Sequence, residues 1–318
     1  MKNVFKIIRN VVLICLAVFL AATLISALLH ATYFRNKYEQ VQPYGELIDV
    51  FDGKMHITRS GEGNTTIVLL PGLGEGLTCA DFAPLVRNLS KDYHVVCVDY
   101  FGGGFSTETV RERTAENYVE EIREVLHNAG IEGPYVLMPH SVSGLYCEYC
   151  ASCYPEEVKA IISLDTTSTA ERFPLADSMK PLQSAYLNFM RFTGAELNTI
   201  LTTDKKQMVN EGGYTEKEVD DLIIYCSFAV NDDMIETMLN TNSLIDEVMA
   251  QDFSKEVPYY KIIARESFER IGEQYHMDHL ARVGAEDSYC ILDGAHTIYR
   301  TSSEEIGRIT REFLAGIE

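Results

Sequence analysis

From Leu47 onward, the chain alternates short apolar runs of strand length with amphipathic stretches of helix length. Two runs at 47–51 and 55–59, joined by a turn through Asp52 and Gly53, predict a hairpin at one edge of a sheet. The remaining strands are predicted at residues 66–70, 93–100, 135–139, 158–164, 258–264 and 288–292. Such alternation is typical of an α/β protein with a mostly parallel sheet covered by helices on both faces.

The alternation is interrupted once, between Thr166 and Glu256, where the periodicity is helical and little strand character remains. An insertion of this size between two strands predicts a helical cap above the carboxyl ends of the strands, where α/β proteins bind ligands. Its Met and aromatic residues either line an apolar pocket or pack the cap. They include Met179, Tyr186, Phe189, Met190, Phe192, Met234 and Met238. We therefore divide the chain into an anchor and stalk (1–38), a first core part (39–165), the cap (166–256) and a second core part (257–318).

An apolar segment precedes the alternating region. Residues 11–29 are 19 consecutive residues without a charge, and a helix of that length crosses a hydrocarbon core of about 30 Å. Lys2, Lys6 and Arg9 precede it, which favours a cytoplasmic N-terminus and an extracytoplasmic domain at the cell membrane. A cleaved signal peptide is the alternative, but its apolar region is usually shorter, so we favour one uncleaved transmembrane helix.

Charge excludes one class of partner. The 27 basic and 47 acidic residues give a net charge of −20, and the chain from Glu39 onward carries 22 basic and 47 acidic residues, net −25. Such a surface repels nucleic-acid phosphates, so we expect no nucleic-acid binding.

The cysteines do not predict a metal site. Cys147, Cys150 and Cys153 recur every three residues on a predicted helix, but no second pair of ligands completes a zinc site. Cys97 and Cys290 lie inside apolar runs, where a free cysteine packs as a small hydrophobic residue.

One strand-to-helix junction carries a candidate nucleophile. Ser141 follows the predicted strand 135–139 directly and precedes a helix, so a tight turn would present its hydroxyl above the sheet, near the positive end of that helix. The junction departs from G-x-S-x-G, with Pro139 two residues before the serine and Ser143 two residues after it. A simple turn is the competing interpretation.

Serine attack requires an oxyanion site and a base. The backbone N–H groups of Leu73, in a glycine-rich turn, and of Val142, next to the serine, would supply the oxyanion site. His296, between the last predicted strand and the last helix, is the candidate base. His140 is expected to pack or to support the turn. His276 and His279 are expected to be solvated or structural on a surface helix.

Together these segments resemble the α/β-hydrolase superfamily over nearly all of residues 47–318. The resemblance is carried by Pro71-Gly72-Leu73-Gly74, Asp99-Tyr-Phe-Gly102-Gly-Gly104-Phe-Ser106, His140-Ser141-Val142-Ser143-Gly144 and Gly294-Ala295-His296. It implies the α/β-hydrolase fold and a serine, acid and histidine in that chain order, with no metal or organic cofactor. Pro71 replaces the histidine that many members have before the oxyanion glycine.

The acid has two candidates. Many members carry it after the seventh strand, where residues 263–269 of this chain offer Ser267 or Glu266 at the expected position. A second family arrangement places it after the sixth strand, where Asp165 ends the run 158–164. We favour Asp165 over Glu266, and either would orient His296.

The resemblance implies hydrolysis of a carboxylic ester, small or lipid-like, through an acyl-enzyme. The serine argues against dehalogenase and epoxide hydrolase chemistry, because members that run those reactions carry a carboxylate at this position. A peptidase similar to proline iminopeptidases and a non-catalytic binding protein that keeps the fold are the alternatives. The anchor and the apolar cap favour esters or lipids.

Overall fold

The computed structural model describes residues 2–173, 177–194 and 203–317, and its centre is an eight-stranded sheet. The strands are β1 (Glu46–Val50), β2 (Gly53–Ser60), β3 (Thr66–Leu70), β4 (His94–Val98), β5 (Tyr135–Pro139), β6 (Val158–Leu164), β7 (Tyr259–Ala264) and β8 (Tyr289–Leu292). Their order is β1-β2-β4-β3-β5-β6-β7-β8. The predicted hairpin is confirmed: β1 and β2 pair antiparallel, β2 pairs antiparallel with β4, and the other pairs are parallel.

Helices cover both faces of this sheet, as the α/β-hydrolase fold requires. They are α1 (Lys2–Leu29), α2 (Arg35–Gln40), α3 (Thr78–Asp81), α4 (Ala83–Leu89), α5 (Ala115–Asn128), α6 (Ser143–Cys153), α7 (Lys180–Thr193), α8 (Lys205–Asn210), α9 (Glu216–Cys226), α10 (Asp232–Met249), α11 (Arg265–Ile271), α12 (Glu273–Val283) and α13 (Ser303–Ile317). Along β3 the side chains alternate between two cores. Val68 and Leu70 pack toward α5 and α6, whereas Ile67 and Leu69 pack toward α4 and α13.

The parallel strands β3, β5, β6, β7 and β8 end at one edge of the sheet. The register sets Leu70 beside Pro139 and Ala264 beside Leu292, and His140 forms a bridge with Leu164. Five strand-to-loop junctions that are distant in sequence therefore converge. Residues that follow these strands directly are brought within reach of one another.

The segment between β6 and β7 is helical in its described residues, α7 to α10. Residues 174–176 and 195–202 of the predicted cap lie outside the described residues. Helix α9 begins with a capping box between Thr215 and Glu218, and the Asn231 side chain caps α10. Helix α10 is held against the core by the 2.7 Å hydrogen bond between the hydroxyls of Tyr118 and Thr237. The boundaries proposed at 38, 165 and 256 stay predictions.

The N-terminal helix is long and apolar enough to cross a membrane. Helical structure continues from Val4 to Gln40, and none of its most apolar window is buried. It contacts the cap helix α7, where the rings of Phe19 and Phe189 stack at 6.3 Å and the Ser26 hydroxyl donates to the Thr193 carbonyl at 2.8 Å. Its orientation in a membrane and whether it is cleaved stay predictions.

The sequence predicts one helix over residues 80–89 and one near residues 271–283, with His276 and His279 solvated or structural on the second. The predicted helix 80–89 is divided at Phe82 into α3 and α4. The helix predicted near 271–283 corresponds to α12 (Glu273–Val283), and a further helix, α11 (Arg265–Ile271), precedes it across Gly272 at φ 107°. His276 and His279, expected to be solvated or structural, are both buried, which excludes the solvated alternative, and His279 contacts Lys261 of β7.

Buried polar groups connect α6, β7 and α12. Lys261 of β7 is fully buried and contacts His279 Nδ1, while His279 Nε2 donates to Glu148 Oε1 at 2.7 Å. Burial and the nearby charge of Lys261 lower the pKa of His279, so this ring is neutral between a cation and an anion. Burial would raise the pKa of Glu148, but the contacts with His279, Thr169 and Lys261 lower it below its ordinary value. Glu148 is therefore the buried anion that balances Lys261.

We expect Glu148→Gln to lower the free energy of unfolding by roughly 3–5 kcal/mol, because it leaves the buried cation Lys261 without its partner. Thermal or chemical unfolding of the full chain in detergent measures this. Glu269→Gln, at an exposed position of α11, is the matched control, and we expect its effect to be within about 0.5 kcal/mol of zero. Lys261→Met added to Glu148→Gln should restore part of the loss, and equal effects of Glu148→Gln and Glu269→Gln would contradict the assignment.

Candidate active site

Ser141 occupies a strained reversal between β5 and α6. Its φ is 54°, in the left-handed region that non-glycine residues rarely adopt. The backbone of Ser141 is fully bonded: its N–H donates to the Leu164 carbonyl at 3.2 Å, and its carbonyl accepts from Gly144 and Thr167 at 3.2 and 3.0 Å. The predicted junction therefore forms a tight turn that directs the serine hydroxyl above the sheet edge.

The two departures from G-x-S-x-G are accommodated. Pro139 is the last residue of β5. Ser143 is fully buried; its hydroxyl donates to the Pro71 carbonyl and lies 2.7 Å from the Tyr100 hydroxyl. The close approach occurs one residue later, at Gly144, where an added Cβ would lie 2.6 Å from the Thr166 Cβ. The residue without a side chain that this close approach needs is thus Gly144, one position later than in G-x-S-x-G.

His296 joins Ser141 to Asp165. Its Nε2 lies 2.9 Å from the Ser141 Oγ, and its Nδ1 lies 2.6 Å from the Asp165 Oδ2. The Asp165 side chain is buried, whereas that of His296 is 45% exposed, so the histidine ring is accessible to solvent. The three residues come from the ends of β5, β6 and β8, and they form the hydrogen-bond sequence of a serine–histidine–acid triad.

Three donors hold the Asp165 carboxylate. The Ala264 N–H donates to Oδ1 at 3.0 Å, the Ser267 hydroxyl donates to Oδ2 at 2.6 Å, and His296 occupies the same oxygen. Burial would raise the pKa of Asp165, but these hydrogen bonds lower it below its ordinary value. Asp165 is therefore an anion at neutral pH.

The other acid candidate is placed differently. Glu266 is exposed on α11, and its backbone N–H donates to the Gly294 carbonyl at 3.2 Å. Its neighbour Ser267, not assigned a role from the sequence, is buried against Asp165. The resemblance pointed to this place in the chain, because it implies the acid at the position that Ser267 or Glu266 occupies.

The predicted oxyanion donors border the same space as Ser141. Leu73 and Val142 line one cavity with the serine. Among the described residues, neither of their backbone N–H groups donates a hydrogen bond. A Cβ on Gly72 would lie 3.1 Å from the Ser141 Cβ, so glycine allows this loop to approach the turn. Two N–H groups beside the serine hydroxyl can accept a developing negative charge.

A buried ion pair supports the loop and the histidine. His140 pairs with Glu75, and its Nε2 donates to the His296 carbonyl at 3.0 Å. The other Glu75 oxygen accepts from the Gly72 N–H at 2.6 Å. Burial would lower the pKa of His140, but the Glu75 carboxylate raises it; burial would raise the pKa of Glu75, but the His140 charge lowers it. His140 therefore supports the turn, as expected, and also connects the oxyanion loop to His296.

A cavity of about 280 Å³ opens beside Ser141, between α7 and α10. Its wall combines apolar and polar residues in similar numbers. Side chains from the segment of the predicted cap that line it include Phe173, Lys180, Gln183, Met238, Leu239 and Asn242. Of the residues proposed from the sequence for an apolar pocket, Met238 lies in this wall, whereas Met179, Tyr186, Phe189 and Phe192 are exposed. Within the described ranges, no group of three or more His, Cys, Asp and Glu side chains could hold a metal ion.

Comparison with known proteins agrees with this architecture. A family model described as alpha/beta hydrolase fold matches residues 65–274. The enol-lactonase from Burkholderia xenovorans LB400 has a TM-score of 0.62 and 18% identity over 85% of this chain and 100% of that structure. At that identity the likeness shows the fold alone.

Curated relatives match over shorter stretches. The uncharacterized protein YbdG of Bacillus subtilis (strain 168) is 31% identical over 166 residues, 52% of this chain and 51% of that protein. The (E)-2-((N-methylformamido)methylene)succinate hydrolase of Acinetobacter baylyi is 27% identical over 171 residues, 50% of this chain and 64% of that protein. The chain thus spans about half to two thirds of the length of these relatives.

The buried pair Glu75–His140 predicts a pH-dependent contribution to stability. The lowered pKa of Glu75 makes its contribution complete above its unfolded pKa of about 4.3, and the contribution is lost as pH falls through the folded value. The raised pKa of His140 makes its contribution complete below about 6.5, and it is lost as pH rises through the folded value.

We therefore expect Glu75→Gln to destabilise the full chain most between about pH 4.5 and 6.5, and less above the raised pKa of His140. Chemical unfolding of both proteins at about pH 5.5 and about pH 9 measures the difference. Glu269→Gln should show the same small effect at both pH values. A loss in Glu75→Gln that does not depend on pH would exclude a charged pair.

Proposed function

The chain belongs to the family of proteins with the alpha/beta hydrolase fold, and on that premise we propose that it is a serine hydrolase that cleaves carboxylic esters through an acyl-enzyme. The observation that carries the proposal is the uninterrupted contact from Ser141 Oγ through His296 to Asp165. A buried aspartate with three donors is well suited to hold a histidine in one tautomer.

In the proposed reaction, Ser141 Oγ attacks the ester carbonyl carbon while its proton passes to His296 Nε2. Asp165 accepts the hydrogen on His296 Nδ1 and stabilises the imidazolium that forms. The C–O bond to the alcohol then breaks, and His296 returns the proton to the leaving oxygen. Water repeats the sequence on the acyl-enzyme, with His296 as base, and releases the carboxylic acid and free Ser141.

Negative charge develops on the carbonyl oxygen during both steps, and the N–H groups of Leu73 and Val142 are the proposed donors. Their cavity position beside Ser141 supports this role. The pair Glu75–His140 does not contact the substrate in this proposal. Glu75 holds the N–H of Gly72, which is next to Leu73, and His140 holds the carbonyl of His296. It is a positioning pair in this proposal.

The cavity favours an apolar acyl group. Leu73, Met238 and Leu239 form apolar wall beside Ser141, and a volume of about 280 Å³ accommodates a short to medium chain. A second candidate is hydrolysis of a C–N bond next to a carbonyl, because one relative is named as a hydrolase of an N-methylformamido compound. The same site chemistry serves both, so the leaving group distinguishes them.

We expect a fluorophosphonate probe to label the full chain in detergent and Ser141→Ala to remove the label, because the probe reacts with an activated serine hydroxyl. Ser143→Ala is the matched control, since this buried neighbour is bonded to Pro71 and should leave labelling in place. Turnover of p-nitrophenyl esters of graded chain length, compared with the corresponding anilides, then separates esterase from amidase activity. An unlabelled wild-type chain would favour the non-catalytic binding protein.

We expect Asp165→Asn to lower kcat by about 10³- to 10⁴-fold, because the amide cannot hold His296 in the tautomer that accepts the serine proton. Glu266→Gln should leave kcat within about twofold of wild type, a change below 0.5 kcal/mol. Steady-state kinetics on one p-nitrophenyl ester measure both variants. A large loss in Glu266→Gln with little loss in Asp165→Asn would assign the acid to Glu266 instead.

A further inference from the structure

Helix α7 in the cap carries apolar side chains on the side that faces away from the protein. Leu182, Tyr186 and Phe189 share one face of the helix and are 63%, 59% and 40% exposed, and Phe192 is 57% exposed. We call these four residues the α7 outer face. A helix on the surface of a water-soluble protein has the opposite arrangement, with its apolar side chains toward the core.

The inward side of the same helix is partly polar. Lys180 and Gln183 line the cavity that contains Ser141, and Leu187 is buried. The Gln183 Oε1 is buried and has no hydrogen-bond partner among the described residues. Helix α7 is thus one wall of the proposed substrate cavity, and its other side is an apolar surface exposed outside the cavity.

Helix α7 contacts the apolar part of α1, and this contact indicates the surroundings of the α7 outer face. Phe189 stacks on Phe19 at 6.3 Å between ring centroids, and the Thr193 carbonyl accepts from Ser26 at 2.8 Å. Phe19 and Ser26 both lie within the uncharged residues 11–29, the part of α1 that is apolar enough to lie in hydrocarbon. A bilayer crossed by α1 would therefore extend to the α7 outer face.

The geometry points to the lipid bilayer as the partner of the α7 outer face, and to an amphiphile that leaves the bilayer along α7 as the substrate that reaches Ser141. The second part rests on the proposed ester hydrolysis, whereas the first part does not. Because the chain has a net charge of −20, attraction to anionic headgroups does not drive the contact. It depends on apolar area, so zwitterionic lipid is sufficient and added salt has little effect.

The chain contains no tryptophan, so one introduced tryptophan reports its own surroundings. We expect Tyr186→Trp, in the full chain reconstituted in phosphatidylcholine vesicles, to emit at short wavelength and to lose most of its emission when the acyl chains are brominated. Val110→Trp is the control, because Val110 is 92% exposed and its N–H donates to Asp52 near the β1–β2 turn. Val110→Trp should keep its emission in both lipids.

Two results would overturn the membrane contact. Short-wavelength emission from Tyr186→Trp without quenching by brominated lipid would mean that protein, such as a second copy of this chain, covers α7. Long-wavelength emission without quenching would mean that the face is in water.

The substrate route has its own test. We expect the double variant Leu182→Ser with Tyr186→Ser to lower kcat/KM for a long-chain ester carried in phosphatidylcholine vesicles by about tenfold or more, because two apolar contacts with lipid are lost. Its kcat/KM for p-nitrophenyl acetate in solution should be unchanged. Equal loss on both esters, or no loss on either, would overturn the route along α7. If the wild-type chain cleaves neither ester, the proposed function fails, and the tryptophan experiment still decides the membrane contact.

Discussion

The arrangement depends on a backbone reversal at Ser141, where a residue with a Cβ is held at φ 54°. This conformation costs about 1–2 kcal/mol for an L-residue, and the surrounding structure must supply that energy. Hydrogen bonds to Leu164, Gly144 and Thr167 satisfy the backbone of the turn. The missing side chains of Gly72 and Gly144 leave room for the loop after β3 and for Thr166. If either glycine gained a Cβ, the contacts at 2.6 to 3.1 Å would force the turn open.

A second constraint is that buried charges connect segments that are far apart in sequence. Glu75 and His140 connect the loop after β3 with the loop after β8, and Glu148, His279 and Lys261 connect α6 with β7 and α12. Desolvation makes such groups costly unless each has its partner. They contribute less to the net free energy of folding than to the relative placement of the elements. The contact of His140 with the His296 carbonyl connects one of these groups to the ring that lies 2.9 Å from the Ser141 Oγ.

The sequence predicted the sheet, Ser141 and His296, because each depends on a local signal: apolar runs of strand length, a serine directly after a strand, and a histidine between the last strand and the last helix. No local sequence signal decides between Asp165 and Glu266 as the acid. The choice depends on how β6, β7 and β8 are aligned, which sets Asp165 beside Ala264 and Ser267 and leaves Glu266 outside. The sequence left His276 and His279 as solvated or structural for the same reason, since the polar partners of His279 come from β7 and α6. Cap boundaries and catalytic roles remain predictions.

Periodicity also failed to show which face of α7 points outward. The spacing of Leu182, Tyr186 and Phe189 usually indicates the face of a helix that packs against a protein core. In the structure, the opposite face, with Lys180 and Gln183, is turned inward, toward α10 and the cavity. An apolar helix face that points outward is unfavourable in water, but it is favourable if the surroundings of the helix are apolar. Because α1 lies against the same helix, one environment accounts for both apolar surfaces, and neither has to be explained as a defect of folding.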